Sequence, residues 1–177
     1  MLYYVENFPE QAADTKVVYV NNTFHGMDEV LKLFKVVLNF PYPYSSESKY
    51  NYYAFRDIME DLYWLSENEV RIVHESLPSL DEEIMGYQYL DVLNLIDVEW
   101  ERFMERAGIT RQYAKEHPEK YISSNDEPAW WERQPKIFNV FFHQEDESYV
   151  KDILQKYSKD YRMCLHYDEK GNEIIDY

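Results

Sequence analysis

The sequence has little of the material from which active sites and cofactor sites are usually built. It contains four glycines in 177 residues, and no G-x-G-x-x-G or P-loop pattern, so a nucleotide-binding loop is not expected. Its five histidines are scattered, and none has the HExxH spacing of a metal site. No serine lies in a G-x-S-x-G elbow. We therefore predict that the protein is not an enzyme and binds no cofactor or metal ion.

Cysteine and long apolar runs are also scarce. The single cysteine, Cys164, has no second cysteine for an internal disulfide, which fits a reducing compartment. No segment reaches the ~18 apolar residues of a transmembrane helix. The N-terminal stretch MLYYVENFPEQ has no basic start and no long apolar run, so it does not read as a signal peptide. These absences predict a cytoplasmic protein.

Negative charge dominates the composition. There are 34 acidic and 18 Lys or Arg residues, giving a net charge of −16 and a pI of about 4.6. The electrostatic field of so much negative charge repels nucleic-acid phosphates and anionic membranes and favours a basic partner. Solubility alone also accounts for an acidic surface. With 45% apolar residues and 18 tyrosines, the chain can form a sizeable core, and its length predicts a single domain.

The apolar periodicity alternates between strand and helix. Leu2–Val5 reads as an extra edge strand or an ordered arm. The further expected elements are strand Lys16–Val20, helix Met27–Leu38, strand Glu69–His74, a helix from Asp81 to about Ala107, strand Ile137–Phe142, helix Tyr149–Tyr157 capped by Ser148, and a terminal hairpin of Arg162–Tyr167 and Glu173–Tyr177. In the long helix, Gly86 is a possible break and Gly108 a natural stop. This alternation is typical of parallel βαβ units.

The most informative stretch runs from Phe40 to Leu65, a proline-tyrosine loop that leads into a helix. Asn51 is a plausible N-cap. The helical repeat places Ala54, Phe55, Ile58, Met59 and Leu62 on one apolar stripe. Tyr53, Asp57 and Asp61 fall on the other side, with Glu60 beside them. The stretch therefore predicts a helix with one face for a core and one face of carboxylates and a phenol.

This stretch resembles the barstar family, intracellular protein inhibitors of ribonucleases, whose members carry a fP-x-Y-Y-G-x-N-x-D-A-[LF]-x-D segment followed by an apolar helix and a Trp. Here the run is FPYPYSSESKYNYYAFRD, followed by Trp64. The matching positions are Phe40, Pro41, Asn51, Ala54, Phe55 and Asp57. Tyr53 replaces the first acid of the helix, and a longer loop, Ser45–Lys49, replaces the glycine turn. The resemblance extends loosely from about Val17 to about Phe103 and resumes at Ile137–Phe142.

The resemblance implies an α/β fold with a three-stranded parallel sheet and packed helices. On this basis we expect one barstar-like domain over residues 1–177. Its core would be residues 16–107 and 137–142, with an insertion at 108–136. A C-terminal extension, residues 143–177, would add a helix and a hairpin that extends the sheet.

The resemblance also implies a function. A barstar-like inhibitor binds a cytotoxic ribonuclease, for self-protection or as an immunity protein, by placing an acidic helix and loop in the basic active site. Asp57 matches the family's inhibitory aspartate, whereas Tyr53 stands in place of the other helix acid. Candidates for the missing charge are Asp61 and Glu60, with Glu99 or Glu101 for a further acid. Tyr44 or Tyr50 takes the place of the family's loop tyrosine.

Two other interpretations of these residues remain open. Carboxylates one turn apart on a helix are commonly just a solvated face. The scaffold also fits a non-inhibitory interaction module whose contact surface is the insertion with Trp130 and Trp131, although these tryptophans are equally explained by packing onto the body. Within the helix, Arg56 is expected to pair with Glu60 at the i+4 position.

Overall fold

The computed structural model describes residues 1–10, 12–40, 55–56, 59–60, 62–80, 82–120, 136–161, 166–167 and 173–174. Within these ranges the strands are β1 (Leu2–Val5), β2 (Thr15–Val20), β3 (Glu69–His74), β4 (Ile137–His143), β5 (His166–Tyr167) and β6 (Glu173–Ile174), and the α-helices with described bounds are α1 (Met27–Val37), α2 (Glu83–Glu116) and α3 (Glu147–Tyr161). Strands and helices therefore alternate, and the fold is α/β as the sequence indicated.

The main sheet has four parallel strands in the order β1-β4-β3-β2. The three strands that the sequence predicted as the core of the sheet, β2, β3 and β4, are neighbours. The fourth strand is β1, which adds to the edge beside β4. A sheet of only three strands was therefore wrong, and of the two interpretations of Leu2–Val5 the edge strand is the one observed.

The two faces of this sheet are covered differently. On one face, the row Val18, Ile72, Val140 and Leu2 crosses all four strands. This face packs against the helices in one apolar core, which includes Phe34 of α1, Leu93 of α2 and Val150 of α3. On the other face, the row Tyr19, Val73, Phe141 and Tyr3 has a buried middle and exposed ends.

The described residues of the connection from β1 to β2, 6–10 and 12–14, run over that second face. The strands proceed from β2 to β3 to β4 in one direction across the sheet, whereas β1 to β2 is a step back across its full width. Right-handed crossovers therefore place this connection on the face opposite the helices. Arg71 Nη1 donates to the Glu10 carbonyl at 2.8 Å, and Phe8 packs on His143 with ring centroids 4.5 Å apart. We call residues 6–10 and 12–14 the strap.

Several predicted boundaries differ from those observed. Helix α2 continues through Gly86 and Gly108 to Glu116, so the expected stop at Gly108 was wrong and the first part of the predicted insertion is helical. A helix-interior glycine costs only ~1 kcal/mol relative to alanine, which the rest of the helix readily offsets. Ser148 lies inside α3 rather than capping it, because α3 begins at Glu147.

The C-terminal hairpin forms at the predicted place, but it does not extend the sheet. Strands β5 and β6 pair antiparallel with each other in a separate two-stranded sheet. Among the described residues, no helix is both long and apolar enough to cross a membrane.

Candidate functional site

The described part of the Phe40–Leu65 stretch is anchored in the core by its apolar stripe. Phe55, Met59 and Leu62 are completely buried. The Phe34 ring meets Phe55 edge-on at 5.3 Å between centroids, and the Tyr89 ring stacks on Phe55 at 6.0 Å. Helical backbone at residues 55–56 and 59–60 agrees with the spacing of the stripe. At these positions the prediction of an apolar face directed into a core is confirmed.

The two ends of the stretch are held together by aromatic contacts. Trp64 Nε1 donates a hydrogen bond to the Leu38 carbonyl at 2.7 Å, at the end of α1. The Phe40 ring meets the Trp64 ring edge-on, with centroids 5.7 Å apart. The Phe and the Trp of the resembled pattern therefore contact each other. Phe40, where the stretch begins, and Trp64, near its end, thus share one anchor point.

Arg56 connects the stretch to helix α2 through two carboxylates. Its Nε donates to Glu60 Oε1 at 2.6 Å, which confirms the predicted i+4 pair. Its Nη2 lies 3.5 Å from Glu99 Oε1 on α2. Glu99 also accepts from Arg102 Nη1 at 2.9 Å. We call these four side chains the Arg56 cluster.

The Arg56 cluster lies partly away from solvent, which affects the two acids that the sequence analysis singled out. The Glu60 side chain is 31% exposed and that of Glu99 is 12% exposed. Each carboxylate forms an ion pair with a guanidinium group. Dissolved salt screens a partly buried ion pair less than one at the surface. In this arrangement the Arg56–Glu99 pair joins the stretch to α2, and Glu60 holds Arg56 in place from within the stretch.

The other proposed partner-binding residues lie outside the described residues. These are Asp57, Asp61, Tyr53, Tyr44 and Tyr50. The same holds for Asn51, Glu101 as a side chain, Cys164, and Trp130 and Trp131 of the insertion. The predictions for these residues therefore stay predictions.

A buried polar pair that the sequence analysis missed lies behind the stretch. His74, at the end of β3, is completely buried, and its Nδ1 lies 3.1 Å from the Phe141 carbonyl. Its Nε2 lies 2.8 Å from the hydroxyl of Tyr89 on α2. The available signal was strand parity, because His74 follows Val70 by four residues and Ile72 by two, and so shares their core-facing side.

The partners of His74 determine its tautomer. A carbonyl oxygen only accepts, so Nδ1 carries the proton, Nε2 is the acceptor, and the Tyr89 hydroxyl donates to it. Burial lowers the pKa of His74 to about 3 and raises the pKa of Tyr89 well above its usual value. Both groups are therefore neutral at physiological pH, which suits a structural hydrogen bond in a core and not proton transfer.

Among the described residues, no group of three or more His, Cys, Asp or Glu side chains is placed to hold a metal ion. Comparison with known proteins finds no match among family models, curated proteins or solved structures. The barstar resemblance accordingly rests on the sequence motif.

Proposed function

We propose that this chain is a barstar-like inhibitor that binds a cytotoxic ribonuclease and blocks its active site with the helix and loop of the Phe40–Leu65 stretch. The observation that supports this most is the complete burial of Phe55, Met59 and Leu62. These apolar positions follow the spacing of the resembled motif, and their burial anchors the stretch on a parallel sheet. Because that side of the helix faces the core, the helical repeat predicts that the side chains of Asp57 and Asp61 project in a different direction from the buried stripe.

The charge of the chain suits such a partner. A ribonuclease binds phosphate and therefore lines its cleft with Arg, Lys and His. A net charge of −16 attracts a basic enzyme over long range and speeds encounter. Asp57 would enter the phosphate-binding pocket, and Asp61 would supply charge one turn later. Tyr53, Tyr44 and Tyr50 would contribute the apolar area and hydroxyls that are favoured in protein interfaces.

The Arg56 cluster supports a division of roles among the acids. Glu60 and Glu99 are engaged with Arg56 and Arg102, so their task would be to orient the helix. Asp57 and Asp61 would be the acids that meet the enzyme. A helix fixed to α2 before binding loses less conformational entropy when the complex forms, which strengthens binding.

The test is inhibition of ribonuclease activity in the basic protein fraction of the cells that make this protein. Cleavage of a fluorescent RNA by that fraction is measured while purified protein is added. We expect the activity to fall as the protein is added, and Asp57→Lys to weaken inhibition by at least ~10-fold because it places a like charge in a cationic pocket.

The matched control is Asp152→Lys, since Asp152 is exposed on α3 and the substitution changes the net charge by the same amount. If the two variants weaken inhibition equally, the effect comes from the net charge of the protein and not from Asp57. No inhibition by the unmodified protein at any ratio would overturn the proposed function.

A further inference from the structure

The end of helix α2 extends beyond the core of the protein. Helix α2 has 34 residues, which at 1.5 Å per residue is about 51 Å. Its last buried residue is Ala107, and every residue from 108 to 116 is at least partly exposed. Local pairs such as Gln112 with Glu116 contribute only tenths of a kcal/mol each. A helical end of this length is marginal by itself, so a further packing contact would stabilise it.

Two adjacent residues at the base of this end, Gly108 and Ile109, contribute little to the packing of the described residues. Ile109 is 66% exposed. A Cβ added at Gly108 would meet no atom within 4 Å, so alanine would fit there and would favour the helix by ~1 kcal/mol. Packing within the part of the chain that the structure describes therefore does not require glycine at this position. A glycine without neighbours next to an exposed isoleucine is what a close approach by another backbone needs.

The charges around Ile109 are self-complementary. Arg102 lies seven residues before Ile109 and Glu116 lies seven residues after it. Seven residues are about two helical turns, so the three side chains share one helix face. In a second helix lying antiparallel and centred on Ile109, each Arg102 would be opposite Glu116 of the other helix. Opposite charges would thus meet on both sides of an apolar centre.

We propose that a second copy of this chain docks antiparallel on the Arg102–Glu116 face of α2, about a two-fold axis at Ile109. Such an interface is isologous, because both copies use the same surface. Two helix faces of about four turns bury less than the ~1,200 Å² of a stable interface. The dimer is therefore weak and reversible, with a dissociation constant on the order of 10–100 µM.

Salt dependence separates this dimer from the proposed inhibitor complex. Two copies of net charge −16 repel each other at long range, and salt screens that repulsion. The apolar centre of the interface is insensitive to screening. Salt also weakens the two Arg102–Glu116 pairs, so self-association is expected to change little as salt rises, whereas an acidic inhibitor would bind a basic enzyme less tightly.

The test is sedimentation equilibrium of the full chain from about 5 to about 500 µM, a range that brackets the expected dissociation constant. Ile109→Asp is expected to raise that constant by at least ~10-fold, because it places two like charges at the two-fold axis. Val36→Asp is the matched control, since Val36 is 73% exposed on α1, and it should leave association unchanged. Far-UV circular dichroism checks that α2 stays helical.

A charge exchange makes the test specific for the antiparallel register. Glu116→Arg places Arg102 opposite a like charge and should weaken association. The double variant Arg102→Glu/Glu116→Arg restores opposite charges and should recover it. A chain that stays monomeric throughout the concentration range overturns the proposal. So does a dimer that Ile109→Asp leaves intact, or a double variant that recovers nothing. None of these outcomes depends on a ribonuclease.

Discussion

His74 Nε2 accepts a hydrogen bond from the Tyr89 hydroxyl at 2.8 Å, joining the end of β3 to α2 inside the core. The imidazole also stacks on Phe142 with ring centroids 4.2 Å apart. Tyr89 in turn stacks on Phe55, the aromatic residue that anchors the proposed inhibitory stretch. The pair therefore connects the sheet, the long helix and the candidate site through neutral polar groups that water does not reach.

The first prediction concerns acid stability. The pKa of His74 is lowered from 6.5 to about 3 in the folded protein, so between those values the unfolded chain binds a proton that the folded chain excludes. Stability from this group is fully present above pH ~6.5 and is lost as the pH falls towards 3. From pH 6.5 to 5.5 the free energy of unfolding should fall by about 1 kcal/mol.

Urea denaturation at the two pH values measures this loss. The carboxyl groups of Glu67 and Glu69, whose pKa values are lowered in the folded protein, affect stability only at lower pH than this interval. His74→Gln should reduce the dependence on pH in this interval. His25→Gln, at an exposed position, should leave it intact. An unchanged slope in His74→Gln would show that the buried imidazole is not the source.

The second prediction concerns the hydroxyl of Tyr89. Tyr89→Phe keeps the ring that stacks on Phe55 but removes the hydroxyl that, among the described residues, donates to His74 Nε2. A buried acceptor left without a partner costs about 1–3 kcal/mol of unfolding free energy. Tyr19→Phe is the control, because Tyr19 is 48% exposed and should change stability by less than ~0.5 kcal/mol. Equal stability of the two variants would contradict this view of the pair.

The third prediction concerns Lys136, which precedes β4. Its Nζ donates to the Leu65 and Glu67 carbonyls at 2.7 and 2.8 Å, and burial lowers its pKa. Lys136→Met retains the apolar stem but leaves these carbonyls without that donor, so thermal or urea unfolding should show a loss of about 1–3 kcal/mol. Lys32→Met, at an exposed site on α1, should be close to neutral. If both variants are equally stable, the ammonium does not anchor the loop before β3.

Strands were well predicted because each carries a local signal. The predicted bounds of β3, Glu69–His74, agree with those observed, since a β-branched run follows clear turn residues. The sequence around Leu2–Val5 does not distinguish an edge strand from an ordered arm, because pairing with β4 decides between them and β4 lies more than 130 residues away in sequence. The number of strands in the sheet is thus a long-range property that no local window contains.

Helix ends were predicted less well, because local signals compete with packing. Gly108 reads as a stop, yet α2 continues to Glu116. Ser148 is typical of a helix cap, yet α3 begins at Glu147, directly after a 3₁₀ turn at Gln144–Asp146.

In the candidate site, the Arg56–Glu60 pair followed from spacing alone. The contact of Arg56 with Glu99 could not be predicted in this way, because it depends on how the stretch packs against α2, and residue spacing does not show that.

The strap has a consequence for how the chain assembles. Strand β1 precedes the other strands of the sheet in the sequence, yet among the described residues it pairs with β4 alone, where Leu2 lies opposite Val140. Closing so long a loop is slow and entropically unfavourable until the intervening strands are in place. During synthesis the residues of β1 therefore emerge long before β4, and until β4 is made their tyrosines are exposed to non-native contacts.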